Sequence, residues 1–397
     1  MSRSGVAAWV PVTMLAIAAF IFNTSEFVPV GLLTDIGHSF SMSAAEVGIM
    51  LTIYAWCVAV LSVPCLLLTG HVERRKLLMG LFALFIVSHI LSTFAWSFQV
   101  LMVSRLGVAI AHSVFWAITP SLAVRIAPKG GETKAISMVA LGVSIAMILG
   151  LPLGRVIDEA FNWRASFAAI GLAALIVALL LYRLLPVVES KNAGSAASIP
   201  VLFRRPALVS VYILALLVVT AHYSAYSYIE PFIEQVARLS SQFATSILFV
   251  FGIAGIAASF LFSYLNQRFP MLLLNGAVAI LAIVMASLLA LSGSELTMSL
   301  LALVWGGAIT FFFLSLQLRV LALAEDATDV GMAFFSGIVN LGIGSGALLG
   351  SQVSLQLGMA HIGEVGALVA GAGFIMCGFC CWRYRFSSSL ANNQSNC

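Results

Sequence analysis

Charged residues are scarce in this chain of 397 residues. Asp, Glu, Lys and Arg make up only 9% of it, whereas soluble domains contain about 25%. Hydrophobic residues reach 61% and the mean hydropathy is +1.09, so a soluble domain is excluded. The short alternating segments of a membrane β-barrel are also lacking. At about 20 residues per spanning helix, the sequence predicts an all-α membrane protein with about a dozen spans.

Clusters of residues that could perform catalysis or bind a metal are lacking too. The cysteines of the C-x-x-C sequence near the chain end, Cys377 and Cys380, have no His or acidic residue nearby, so we interpret them as packing residues. We therefore expect no enzyme activity, no metal, no cofactor and no nucleic-acid partner. The histidines are few and show no metal-ligand spacing; they are His38, His71, His89, His112, His222 and His361.

Hydropathy predicts twelve spans, and the basic residues between them are distributed unevenly. Most of the 19 Lys and Arg residues fall in alternate connections, including the cluster Arg74, Arg75 and Lys76. Because cytoplasmic connections carry the excess of Lys and Arg, both termini are predicted to lie in the cytoplasm. The predicted spans are 8–34, 45–69, 77–95, 99–123, 133–156, 163–185, 206–232, 240–266, 271–292, 296–323, 331–357 and 362–382.

One long connection divides the predicted spans into two groups of six. It contains Pro, Gly, Ser and charged residues, PVVESKNAGSAASIPVLFRR, and has the composition of a linker. The polar tail after the last span is predicted to be disordered. The sequence therefore predicts an N-terminal half at 1–185, a cytoplasmic linker at 186–205, a C-terminal half at 206–385 and a tail at 386–397.

The two halves repeat each other weakly. LGVSIAMILG at 141–150 and LGIGSGALLG at 341–350 share Leu, Gly, Leu and Gly at an offset of 200 residues. The Glu26 and Pro29 pair has a looser counterpart in Glu230-Pro231. Parallel six-span repeats are typical of major facilitator transporters, whose substrate site lies between pseudo-symmetric halves.

Four stretches strengthen that interpretation, and the similarity runs over nearly the whole chain except its tail. The chain resembles the bacterial sugar-efflux proteins of the drug–proton antiporter branch of the major facilitator superfamily. The resemblance implies a twelve-helix exporter in the bacterial inner membrane, driven by proton influx, that expels sugars and sugar-like thiogalactosides such as arabinose, lactose or isopropyl thiogalactoside. We expect the protein to be a monomer. The stretches are FIFNTSEFVPVGLLTDI, SRLGVAIAHSVFWAITPSLAVRIAP, HYSAYSYIEPF and FSGIVNLGIGSGALLG.

Candidate gating residues follow from the same resemblance, with departures. The loop after span two keeps the basic Arg74 and Arg75 but has Gly70 where the family has Asp, and Glu73 is the candidate substitute. Proline permits a kink and small residues permit close helix contact; plain packing remains the alternative interpretation. Four residues of span five resemble the glycine-proline signature of the exporters: Gly142, Gly150, Pro152 and Gly154. Pro29 of span one is a further gating candidate.

Glu26 is the most informative polar residue in a predicted span. It follows Trp9 by 17 residues, or about 25 Å of helix, which places it roughly two-thirds across the membrane. A fixed charge at that depth costs a few kcal/mol. Because burial favours the neutral form of a carboxyl group, we interpret Glu26 as a proton carrier rather than as an acid that reaches the outer interface.

Span four carries two further polar residues on one helix face, Arg105 and His112, with Trp116 one turn beyond. The family fold implies that spans one, four, seven and ten line the central cavity. We therefore hypothesise that Glu26, His112 or both exchange the coupling proton, while Arg105 holds a carboxylate or tunes the pair. For a lone buried histidine, a hydrogen-bonded core position is the alternative.

Substrate contacts are predicted from the needs of a sugar. Amides and hydroxyls bind its hydroxyl groups, and an aromatic face binds the apolar side of the ring. For Trp305, Tyr223 and Tyr228, a position in the aromatic belt at the membrane interface is favoured at least as much as substrate contact. The candidates are Asn23, Asn340, Trp116, Tyr226, His222 and Ser336.

Two other functions remain open at this stage. A multidrug or nucleoside exporter of the same branch shares the span-one carboxylate, so Glu26 cannot separate it from a sugar exporter. A channel is consistent with hydropathy alone, but a two-half repeat with buried Glu and His favours alternating access.

Overall fold

The computed structural model describes residues 9–69, 72–128, 131–188 and 196–384. The predicted tail at 386–397, Gly70, and part of the predicted linker at 186–205 lie outside the described residues. The α-helices are α1 Val10–Phe27, α2 Leu33–Phe40, α3 Ala44–Val47, α4 Ile49–Leu68, α5 Arg74–Thr93, α6 Phe98–Ile126, α7 Glu132–Ile145, α8 Leu151–Ala160, α9 Trp163–Leu184, α10 Ile199–Phe203, α11 Pro206–Tyr226, α12 Ile229–Pro231, α13 Ser241–Arg268, α14 Pro270–Ser287, α15 Glu295–Leu323, α16 Thr328–Gln356 and α17 Ile362–Tyr384.

The predicted all-α membrane class is confirmed. Within the described residues there is no β-strand, and eleven helical segments are long and apolar enough to cross a membrane. The remaining predicted span, 133–156, is divided: α7 and α8 are joined through a π-helical turn at Ala146–Gly150, and Pro152 stands at the start of α8. A π turn of this kind interrupts the regular helical hydrogen bonding.

The first predicted span, 8–34, corresponds to an apolar segment at Val10–Gly31, which is not regular α-helix throughout. α1 ends at Phe27, a 3₁₀ turn follows at Val28–Gly31, and α2 begins at Leu33. Pro29 stands in the turn, where it has no backbone N–H to offer to the helical ladder and its carbonyl accepts from the N–H of Leu32 at 3.1 Å. Glu26 therefore occupies the last turn of α1.

The contacts divide the chain into two units, which we call unit 1 and unit 2. Unit 1 comprises residues 1–42 and 60–193, and unit 2 comprises residues 43–59 and 194–397. α4 thus begins in unit 2 and ends in unit 1. Whether the functional halves follow the predicted boundary at the linker stays a prediction.

In unit 1, α7 lies directly against α1 because glycine is present where the two backbones meet. A Cβ on Gly142 would stand 2.2 Å from the carbonyl oxygen of Ala16, and a Cβ on Gly150 would stand 2.8 Å from the hydroxyl of Thr24. Only a residue without a side chain permits such an approach.

In unit 2, α16 lies against α11 through the same two positions of the sequence repeat. A Cβ on Gly342 would meet Val219 at 2.9 Å and the carbonyl of Leu216 at 3.3 Å, and a Cβ on Gly350 would stand 2.2 Å from the carbonyl of Ser224. Adding 200 to each unit 1 pair, Ala16 with Gly142 and Thr24 with Gly150, gives these unit 2 pairs. The sequence repeat is therefore accompanied by a repeat of helix contacts.

Candidate functional site

Glu26 and His112 form a buried acid–base pair in unit 1. Oε2 of Glu26, in the last turn of α1, lies 3.3 Å from Nε2 of His112 on α6. The two side chains are only 9% and 2% exposed. Phe22 stacks between Phe85 and Phe115 and packs beside the His112 ring. The pair is therefore enclosed by aromatic surface, where a net charge is costly.

Trp116 contacts the same nitrogen of His112 from one turn along α6. Its indole Nε1 donates to Nε2 of His112 at 2.7 Å, and the side chain is half-buried. An indole N–H can only donate, so Nε2 presents its lone pair to Trp116. Nδ1 consequently carries the ring proton of a neutral His112.

Arg105 binds the end of α1 beside Glu26. It donates from Nη2 to the carbonyl of Ser25 at 3.0 Å and from Nη1 to the Ser25 hydroxyl at 3.3 Å. Both groups are buried. A fixed positive charge is therefore held at the residue that precedes Glu26. That Arg105 holds a carboxylate or tunes the pair stays a prediction.

His89, on α5, completes this hydrogen-bond network, and the sequence reasoning did not select it. Its Nε2 lies 2.9 Å from the Ser25 hydroxyl, and its Nδ1 lies 2.9 Å from the carbonyl of Phe85. Because a carbonyl only accepts, Nδ1 donates, and Nε2 of the neutral ring accepts from Ser25. A lone histidine in an apolar span gives no sequence signal of this role, since the residue that joins it to the network, Ser25, comes from another helix, α1.

Two predicted substrate-binding amides are buried with an unused polar atom. On α1, Nδ2 of Asn23 has no hydrogen-bond partner among the described residues. On α16, Nδ2 of Asn340 donates to the carbonyl of Ser336 at 3.0 Å, which leaves its Oδ1 without a partner in the described part of the chain. Buried polar atoms are nearly always hydrogen-bonded, so these two amides are unusual; that they bind the substrate stays a prediction. Ser336 itself is exposed.

The aromatic candidates of span seven form a packed cluster inside unit 2. The rings of His222 and Tyr226 stack at 4.9 Å, and Trp305 donates from Nε1 to Nδ1 of His222 at 2.9 Å. Phe251 packs against all three. The cavity beside this cluster is about 10 Å³, which suffices for about one water molecule. The two predicted contacts therefore lie in the core of unit 2.

The aromatic-belt interpretation of Trp305, Tyr223 and Tyr228 is wrong. Trp305, Tyr223 and Tyr228 are all buried within unit 2. The Tyr228 hydroxyl donates to the carbonyl of Ala347 at 2.8 Å, a bond that an interfacial residue would make with water instead.

Arg155 organises a second polar cluster in unit 1, at the end of α8. Nη1 donates to the carbonyl of Gly31 at 3.0 Å and to Asp35 at 2.8 Å. Asp158 lies 3.4 Å from the same nitrogen. Burial and the hydrogen-bonded Asp35 carboxyl raise the pKa of Asp158 to about 8, although Arg155 opposes the shift. The sequence did not single out Arg155, because only the fold brings Asp35 beside it.

The predicted basic loop after span two is helical at Arg74 and Arg75, which are the first two residues of α5 and bond within unit 1. Arg74 is buried, Arg75 donates to the carbonyl of Tyr182, and Glu73 caps the helix by accepting from the N–H groups of Arg75 and Lys76. Glu73 also accepts from the N–H of Val188 at 3.0 Å. Burial opposes ionisation of Glu73, but these N–H bonds hold its pKa below the ordinary value. A gating role for this loop stays a prediction.

Comparisons with known proteins agree with this architecture. The family model described as Major Facilitator Superfamily matches residues 15–351. The chain belongs to the major facilitator superfamily. A bacterial homolog of the human lysosomal transporter Spinster has a similar fold in its inward-facing unoccupied form: the TM-score is 0.71 at 16% identity, and 98% of each chain is covered. Its inward-facing occupied form gives 0.70 at 17% identity, with 97% of each chain covered.

As a major facilitator protein, the chain is a multi-pass secondary transporter for a small molecule in a lipid bilayer. The glycines of its fifth span lie against α1 and the turn after it, because a Cβ on Gly154 would stand 2.7 Å from Val28. Together with the π turn before Pro152, this places an irregular part of the transporter's helices next to the helix that carries Glu26.

Proposed function

We propose that this transporter is a proton-coupled antiporter that exports sugars and sugar-like thiogalactosides from the cytoplasm of a bacterium. The substrates in view are arabinose, lactose and isopropyl thiogalactoside, and the proton gradient is the driving force. The protein acts as a monomer in the inner membrane by alternating access, with both termini in the cytoplasm. It needs no cofactor.

One observation carries the proton coupling: the buried contact between Glu26 and His112 at 3.3 Å. With one proton the pair is neutral overall, whichever group holds it. Without that proton it carries a negative charge in an apolar environment, which burial disfavours. Arg105, fixed at Ser25, offsets that charge. The pair can thus bind and release one proton during a transport cycle.

The unused amide atoms support a sugar as the substrate. Asn23 offers an N–H donor and Asn340 offers a carbonyl acceptor, and a sugar hydroxyl can satisfy either one because it both donates and accepts. Trp116 offers an aromatic face within one turn of His112. An apolar drug would leave such a buried amide atom without a partner, which costs about 1–3 kcal/mol.

Transport into inside-out membrane vesicles tests the proposal. With the vesicle interior acidified, labelled arabinose and a labelled thiogalactoside should accumulate saturably, and collapse of the pH gradient by an ionophore should stop accumulation. Vesicles from cells without the protein are the control.

The same assay decides among the alternatives. Accumulation of labelled chloramphenicol without either sugar would replace the sugar exporter by a multidrug exporter, and accumulation of nucleosides alone would indicate a nucleoside exporter. Flux that neither saturates nor responds to the pH gradient would indicate a channel and contradict the proposal.

A further inference from the structure

Two groups converge on one nitrogen of His112 in unit 1. Nε2 of His112 lies 2.7 Å from Nε1 of Trp116 and 3.3 Å from Oε2 of Glu26. An imidazole nitrogen presents either one lone pair or one N–H. It can therefore bond to Trp116 or to Glu26 through that single position, but not to both.

The presence of the coupling proton decides between the two partners. If the proton is on Nε2, this N–H donates to the Glu26 carboxylate. The indole N–H of Trp116 then faces a second donor and cannot bond to it. If the proton is on Glu26, its O–H donates to the Nε2 lone pair and takes the place of Trp116. In both arrangements the bond between Trp116 and His112 is lost.

We propose that Trp116 is a positioning residue that responds to the protonation of the Glu26–His112 pair. Without the shared proton, the indole N–H is held on His112 and the ring is fixed for contact with the substrate. With the proton, the indole is released. This role rests on the proposed proton-coupled antiport, and it supplies a reason why proton and substrate exclude each other: such an antagonism is reciprocal by linkage.

Other charged or titratable groups near the pair do not compete for Nε2. Arg105 on α6 is bonded to Ser25. His89 on α5 is bonded to Ser25 and to the Phe85 carbonyl. α7 has no titratable residue after Lys134 in its first turn. α1 contributes Glu26 alone.

Nuclear magnetic resonance of the full-length protein in detergent tests this directly, without a substrate. With ¹⁵N-tryptophan, the indole signal assigned through Trp116→Phe should shift between pH 5 and 9. The shift should vanish in His112→Ala. With ¹⁵N-histidine, Trp116→Phe should move the midpoint of the His112 titration to higher pH by about 0.7 unit, a fivefold change, because one hydrogen bond to the neutral ring is lost.

Trp305→Phe is the matched control, since it removes an indole bond to a different histidine, His222, and should leave the His112 midpoint unchanged. An unmoved Trp116 signal, or an unchanged midpoint in Trp116→Phe, would overturn the role of Trp116. Those results leave the antiport intact if transport still depends on Glu26 and His112. Failure of the antiport itself would instead appear as normal proton coupling in Glu26→Gln and His112→Ala.

Discussion

At the scale of single residues, proton exchange in this protein involves a buried acid and a buried base that contact each other. Glu26 and His112 share one contact, and Arg105 holds a positive charge at the adjacent Ser25. Neither partner alone could be charged at this depth without a cost of several kcal/mol. The local chemistry is therefore organised around the gain and loss of one proton.

The amide of Asn340 supplies a residue-scale prediction about the substrate. Asn340→Ala should raise the sugar concentration inside expressing cells several-fold and weaken protection against a toxic thiogalactoside, because the unused Oδ1 is the proposed acceptor for a sugar hydroxyl. Asn275→Ala is the matched control, since that amide donates to the carbonyl of Met271. Equal export by Asn340→Ala and the wild type, at equal expression, would remove Asn340 from the site.

Asp158 supplies a prediction about pH and stability. Its pKa rises from 3.8 in the unfolded chain to about 8 in the fold, through burial and the Asp35 carboxyl. The folded protein thus binds the proton more tightly than the unfolded chain. The resulting stability is fully present below about pH 4 and is lost as the pH rises to about 8.

Thermal unfolding of the purified protein at several pH values between 4 and 8 checks this. Asp158→Asn should flatten the fall in Tm over that interval, because the amide stays neutral throughout. Glu364→Gln, which changes an exposed carboxylate, should retain the wild-type slope. A wild-type Tm that rises steadily from pH 4 to pH 8 would contradict the assignment.

At the scale of helices, close contact through glycine holds each unit together. The Cβ positions of Gly142 and Gly342 are occupied by neighbouring atoms, whereas nothing lies within 4 Å of the Cβ positions of Gly80 and Gly276. Gly142→Ala should therefore separate α7 from α1 and lower both folded yield and transport. Gly342→Ala should do the same for α16 and α11.

Gly80→Ala and Gly276→Ala are the controls for this prediction. Both positions are helical and open, so alanine should be neutral or stabilise by up to about 1 kcal/mol. Detergent-solubilised yield and thermal unfolding measure the difference. If all four variants behaved alike, close packing at the repeat positions would not be what holds these helices.

The helices were predictable from the sequence, but the breaks within them were less so. Lipid demands long apolar segments, so α13 at Ser241–Arg268 and α15 at Glu295–Leu323 lie close to the predicted 240–266 and 296–323. The π turn at Ala146–Gly150 and the end of α1 at Phe27 depend on packing that hydropathy does not report. Glu26 and His112 could be predicted as functional because polar groups are costly in lipid. The roles of His89 and Arg155 depend on partners that only the fold brings together.

At the scale of the whole molecule, the basic residues predict the orientation in the membrane. Cysteine introduced as Lys76→Cys, in a predicted cytoplasmic connection, should react with an impermeant maleimide only after permeabilisation. Gly293→Cys, in a predicted external connection with open space around the Cβ, should react in intact cells. The parent protein with its native cysteines is the control, and the reversed pattern would contradict the orientation.

The most direct measurement of the central claim is proton movement during sugar transport in proteoliposomes with an internal pH indicator. The wild type should move protons against the sugar flow, and Glu26→Gln and His112→Ala should each reduce that movement at least tenfold while Glu364→Gln does not. Normal proton movement per sugar in both Glu26→Gln and His112→Ala would contradict the account.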